Sequence, residues 1–202
     1  MPRTLSVAGL FLGVLAFVAS PAQAVPITYS FAGSGSGTLA GASFTDAAFE
    51  ALVYGETDDI LHPDPTLGAQ GMHDLAATIE IEGVGLLTFT YPAFIFGGFN
   101  YLGNPLGNVG FGTSDGGNLI SVFHSTLAGY DLASSFGPLW GWNMSLSQFE
   151  DISTNLGMLT FASMSGVTFE AAVGSSQVPE PGLLLLVGTG FACLVGWRWR
   201  HR

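Results

Sequence analysis

The chain has 202 residues, room for one ordinary domain once its two apolar ends are set aside, and carries four basic residues against fifteen acids, a formal net charge of −11. All four basic residues (Arg3, Arg198, Arg200, Arg202) lie in those ends; between Val25 and Val178 there is no Lys or Arg, and fourteen of the fifteen acids are found there. With nothing to neutralise phosphates, this middle excludes nucleic acid as a partner, and it argues against docking on an anionic membrane or polymer unless divalent cations bridge the two.

Residues 1–24 read as a signal peptide for the Sec export machinery. Arg3 supplies the positive start, residues 5–18 the apolar stretch, and Ala22 and Ala24 the small-residue cleavage pattern, which puts the cut before Val25. The apolar stretch is too short to span a membrane comfortably, so cleavage is expected rather than a permanent anchor.

Residues 25–173 are dominated by alternation of period two, the signature of half-buried strands. Ala47-Ala48-Phe49-Glu50-Ala51, Thr78-Ile79-Glu80-Ile81-Glu82, Thr88-Phe89-Thr90-Tyr91 and Val167-Thr168-Phe169-Glu170-Ala171 place apolar side chains on one face and polar ones on the other; Ile120-Ser121-Val122-Phe123-His124 is looser. Clusters such as Gly33-Ser34-Gly35-Ser36-Gly37 and Gly97-Gly98-Phe99-Asn100 read as separators between strands. No helical stripe stands out between residues 30 and 175, although residues 145–151 could form one short turn. About ten short strands predict an all-β domain, an antiparallel β-sandwich of jelly-roll type. The one cysteine, Cys193, lies in the C-terminal apolar segment, so no internal disulfide can hold this domain and its core must do so alone.

Several patterns in this domain could carry chemistry. Residues 56–64 hold Glu56, Asp58, Asp59, His62 and Asp64, and oxygen ligands on a flexible loop suit Ca²⁺, with Asp58, Asp59 and Asp64 as the candidate ligands; the competing reading is a solvated acidic loop. His62, His73 and Asp74 form a weaker zinc candidate. Gly112-Thr113-Ser114-Asp115-Gly116 matches a nucleophile elbow, but the elbow needs a helix after the serine and a strand pattern follows. The order of Ser114, His124 and Asp131 is also wrong for that family, so a turn is expected. Gly35-x-Gly37-x-x-Ala40 lacks the helix of a dinucleotide loop. Trp140 and Trp142, with Phe136 and Asn143 nearby, form a candidate platform for stacking a sugar ring, against the alternative of core aromatics. Glu50, Glu80, Glu82 and Glu170 sit on polar strand faces as solubilisers, and sequence alone places no pair at a glycosidase separation. No catalytic constellation emerges, so the sequence predicts a protein that is not an enzyme and needs no cofactor, Ca²⁺ being the one candidate.

After a short polar linker, residues 174–178, the chain ends in Pro179-Glu180-Pro181, an apolar run over residues 182–197, and Arg198-Trp199-Arg200-His201-Arg202. As a helix the apolar run would be roughly 24–27 Å long, slightly short of a ~30 Å hydrocarbon core. Its arginines should stay cytoplasmic, with Trp197 and Trp199 at the interface. The two prolines forbid helix and present an extended backbone just above the membrane.

In this order, behind a signal peptide, these residues resemble the PEP-CTERM sorting signal of Gram-negative bacteria. The stretches Tyr29-Ser30-Phe31-Ala32-Gly33-Ser34-Gly35-Ser36-Gly37-Thr38-Leu39 and Phe44-Thr45-Asp46-Ala47-Ala48-Phe49 are likewise similar to the starts of many proteins with that tail. The resemblance implies an exported protein, held transiently in the inner membrane by its C-terminal helix. A membrane-embedded exosortase then processes it near Pro179, Glu180 and Pro181, with Arg198, Arg200 and Arg202 as the cytoplasmic anchor. It further implies a destination at the cell surface or outside the cell, and a structural or adhesive role linked to exopolysaccharide and biofilm. The alternative is a lectin-like carbohydrate-binding domain that depends on calcium.

Overall fold

The computed structural model describes residues 24–61, 70–97, 106–144 and 149–174, with side chains of residues 142–144 not described. The signal peptide up to residue 23, His62, Asp64, Gly98 to Asn100, the turn at residues 145–148 and the whole C-terminal tail lie outside the described residues.

Among the described residues eleven strands make one antiparallel sheet: β1 (Pro26–Leu39), β2 (Ala42–Glu56), β3 (Gln70–Ile81), β4 (Gly85–Thr88), β5 (Ala93–Gly97), β6 (Gly107–Thr113), β7 (Gly117–His124), β8 (Phe136–Trp140), β9 (Trp142–Met144), β10 (Ile152–Thr154) and β11 (Gly157–Val173). The helical content among the described residues is two single 3-10 turns, at Thr57–Asp59 and Ser125–Leu127. The all-β, antiparallel expectation holds, and the alternating runs fall on strands as read. Ile79 and Ile81 are buried while Glu80 and Glu82 are exposed, and Val167, Phe169 and Ala171 point inward around an exposed Glu170. The run at residues 88–91 is cut shorter: β4 stops at Thr88, and Phe89 makes only an isolated bridge to Thr154.

Two expectations are corrected. The strands are not uniformly short, since β1, β2, β3 and β11 have 14, 15, 12 and 17 residues. The reason lies in the stretch from Gly33 to Gly37, which is no separator but the middle of β1. Its serines face outward, and its glycines lie over aromatic rings. A Cβ on Gly33 would stand 3.2 Å from the Phe49 ring, and one on Gly35 2.8 Å from the Phe161 ring. Glycine there permits close approach of the backbone, which is the other meaning glycine has inside a strand. The actual reversal is the pair Ala40 and Gly41, with φ of 48° and 86°, a two-residue hairpin of the kind whose twist matches its strands.

The second correction concerns topology. Strand neighbours follow the sequence from β1 to β7, and β11 returns to lie along β1, so the order is that of an up-and-down sheet rather than a jelly roll. Two strands carry the sheet around its corners. The first half of β3 pairs with β5 and its second half with β2 and β4, with a register shift between Met72 and Leu75 where Asp74 has φ of 58°. The segment made of β8 and β9 does the same: β8 pairs with β11, β9 with β7, and Gly141 stands between them. Strands that change partners at bulges or bends are how sheet corners are made. The sheet therefore nearly closes into a barrel whose opposite walls pack as two layers.

The interior is aromatic. Phe31 on β1 meets Phe111 on β6 at 5.1 Å across the middle; Phe44, Phe49 and Phe149 surround Phe161 towards one end; Tyr29, Tyr130 and Phe136 gather on Phe169 towards the other. Among the described residues one buried side-chain polar atom is unsatisfied: Thr113 Oγ1 is fully buried and has no hydrogen-bond partner. A buried orphan hydroxyl carries a desolvation cost that a methyl group does not. Thr113→Val is therefore expected to raise stability by about 1 kcal/mol, seen as a higher urea midpoint at unchanged slope.

Candidate functional sites

The start of β1 and the finish of β11 lie together at one end of the barrel. Ile27 pairs with Val173, the Gly174 amide donates to the Pro26 carbonyl at 2.8 Å, and the Thr57 amide donates to the Val25 carbonyl at 2.9 Å. The acidic stretch begins here. Glu56 ends β2, and Asp58 and Asp59 stand exposed on the 3-10 turn. Asp64, the third member of the candidate calcium set, lies outside the described residues, and so does His62 of the zinc set. Among the described residues no three His, Cys, Asp or Glu side chains converge as metal ligands. His73 is exposed and lies against Phe94 at 6.0 Å.

Trp140 stands opposite Thr168 on the outer face with 69% of its surface exposed, the most exposed large apolar side chain among the described residues. Trp142 pairs through its backbone with Phe123, and its side chain is not described. Phe136, grouped with them from the sequence, instead packs inward against Tyr130 at 4.9 Å.

Register creates a feature that alternation alone could not show. Glu50 and Glu80 are directly opposed across β2 and β3, and Ser30 Oγ donates to Glu50 Oε1 at 2.8 Å. With Ala48, Phe49 and Glu82 they line an open depression of about 310 Å³. Like charges directly opposed in a sheet are unfavourable, and the Ser30 hydroxyl offsets part of that repulsion.

The G-x-S-x-G match is the reversal between β6 and β7, with the Gly116 amide donating to the Thr113 carbonyl and a strand following. His124 caps the next turn, its Nδ1 accepting from the Thr126 amide at 3.2 Å. Asp131 is likewise committed to its own loop, accepting from the Ala133 and Ser134 amides, both at 3.0 Å, and from the Ser134 hydroxyl at 2.8 Å. The elbow, histidine and acid are thus each engaged locally.

Sequence reading missed what that loop does. Buried Leu127, Tyr130 and Leu132 plug the end of the barrel, and the Tyr29 hydroxyl donates to the Leu132 carbonyl at 2.6 Å, the Tyr130 hydroxyl to that of Ser134 at 2.6 Å. Burial, with Tyr130 and Asp131 close by, pushes the Tyr29 phenol far up, and burial beside Asp131 does the same to Tyr130; both stay neutral donors. For Asp131, partial burial acts upward, but the hydrogen bonds from Ser134 and Ala133 prevail and hold its carboxyl below the usual value. A lowered carboxylate stabilises the fold above its unfolded pKa of about 4, and that contribution is lost as the pH falls through the folded value. Asp131→Asn should lower the melting temperature at pH 6, and the difference from the wild type should shrink as the pH falls below the unfolded carboxylate value of about 4.

These observations define a small antiparallel sheet nearly closed into a barrel, in a domain without Lys or Arg whose first and last long strands, β1 and β11, begin and finish at the same end. Among the described residues no helix is long and apolar enough to cross a membrane. The family model for the PEP-CTERM protein-sorting motif matches residues 177–202, so the chain carries that motif, covering Pro179, Glu180, Pro181 and the terminal arginines. The motif marks an exported protein that passes through a membrane-associated sorting step and is processed by an exosortase. Comparison with curated proteins and with solved structures returned no match.

Proposed function

We propose that this protein is a non-catalytic cargo of the PEP-CTERM route, released as a barrel that serves as a structural or adhesive component at the cell surface or in the extracellular matrix, in association with exopolysaccharide. The observation that carries the reading is the sorting motif at residues 177–202, which follows the last strand of the domain, ending at Val173, within a few residues. Sec export and removal of residues 1–24 come first; retention by the tail, with Arg198, Arg200 and Arg202 on the cytoplasmic side, comes second; cleavage near Pro179 to Pro181 comes last. A surface with no Lys or Arg needs divalent cations to meet an anionic polymer, while neutral glycans can be met directly. Mass spectrometry of the surface fraction is expected to show a mature C-terminus near Pro179, and an intact Arg202 there would sink the processing step.

One observation favours a second reading, a lectin-like domain. An exposed indole on a strand, such as Trp140, is the type of flat apolar face on which a sugar ring stacks. Glycan-array binding that disappears with Trp140→Ala would support it, and loss of the same binding in EDTA would add the calcium dependence that Asp58, Asp59 and Asp64 suggest.

A further inference from the structure

We propose that the end of the barrel where β1 begins and β11 finishes, built from Val25, Pro26, Glu56, Asp58, Asp59 and Gly174, is the surface on which the processing enzyme docks to cut the tail. This rests on the exosortase reading above and adds to it where on the cargo the enzyme sits.

The tether is the first reason. Gly174 is fixed to the barrel by the hydrogen bond its amide donates to the Pro26 carbonyl, and only Ser175 to Val178 separate it from Pro179. Five Cα steps reach at most about 18 Å. A standard protein docking patch of about 800 Å² per partner has a radius of roughly 16 Å. An enzyme holding Pro179 works within about 18 Å of Gly174, so this end of the barrel is the part of the folded domain it can reach first.

Charge is the second. Between Val25 and Val178 there is no basic side chain to offset Glu56, Asp58 and Asp59, and Asp58 and Asp59 are both exposed on the turn that the Thr57 amide ties to Val25. An anionic bilayer repels such a face. The partner that suits it is a protein surface that is basic or rich in amide donors, and it is the enzyme that the tether brings there. Asp58 and Asp59 would thus act as recognition groups for the enzyme, steering its approach in the way rim charges of an interface do.

The test uses the full chain and an exosortase reconstituted together in neutral phosphatidylcholine vesicles, with tail removal followed by mass spectrometry. Asp58→Lys with Asp59→Lys should slow cleavage about tenfold. Inserting about twelve flexible residues after Ser175, with an r.m.s. span of ~20 Å, should free the cut from the barrel and reduce the effect of the same charge reversal to about twofold or less. Resistance of each full-length variant to limited proteolysis shows that the barrel still folds. Equal cleavage rates for wild type and the charge-reversed chain on the native tether would overturn the proposal. So would a charge effect that appears only when phosphatidylglycerol is added, since the face would then be meeting the membrane. A wild-type chain that the enzyme leaves uncut would sink the processing reading itself.

Discussion

Phe161→Ala is expected to destabilise the barrel by about 3–5 kcal/mol, the range for removing a buried aromatic ring. The residue is 1% exposed, and its ring lies 4.8 Å from that of Phe149 and 5.2 Å from those of both Phe44 and Phe49. How much such a deletion costs depends on whether the surroundings can collapse into the space. Here one wall of that space is the strand over Gly33 and Gly35, which has no side chain to send inward. The cavity should therefore stay open and the loss should fall in the upper part of the range. Guanidinium unfolding should show a lower midpoint at unchanged slope; Met158→Ala, at a site 46% exposed, should stay within about 0.5 kcal/mol of the wild type. A loss below ~1.5 kcal/mol for Phe161→Ala would mean that the remaining rings repack, contrary to the account given of the glycine-rich strand. For a domain whose whole stability is of order 5–15 kcal/mol, the expected loss decides whether the exported chain survives proteolysis.

The same glycines show what a sequence can and cannot convey. Alternation placed Ile79, Ile81, Phe169 and Ala171 inside correctly, because period two is a local property of each strand. Gly33 to Gly37 was read as a break because glycine's two meanings, reversal and close approach, are indistinguishable until the ring on the partner strand is known; Phe161 is more than a hundred residues away. The corners were illegible for a related reason. Nothing local at Asp74 or Gly141 announces that a strand changes partners there, since the information is in the pairing of both halves. The opposition of Glu50 and Glu80 needed register, and the plug around Tyr130 needed to be packed before its role could be seen. The sorting motif was legible in full because it is read as a linear address, with charges and prolines at fixed order along the chain.

Gly141→Ala is expected to destabilise the domain by about 3 kcal/mol, and to change its association state as well. Its backbone is buried at the corner between β8 and β9, and an added Cβ would stand 2.5 Å from Val122 Cγ1 and 2.8 Å from the Phe123 carbonyl oxygen. The carbonyl belongs to β7 and cannot move without loosening its pairing with β9, so the methyl group must push one half of the segment off its partner. Either outcome opens the seam that nearly closes the sheet, because β8 holds β11 and β9 holds β7. An opened seam presents unpaired backbone groups, the template for edge-to-edge association that closure otherwise removes. Thermal melts should therefore show the loss of stability, and sedimentation velocity should show a new, concentration-dependent oligomer. Trp140→Ala, one residue away but on an exposed side chain, should shift the melt little and leave the protein in its original association state. If Gly141→Ala melts like the wild type, β8 and β9 are not one segment turning a corner, and closure of the barrel must be sought elsewhere. If it melts lower without associating, the seam opens no farther than the local clash, and edge protection comes from the short strands β4 and β10 instead.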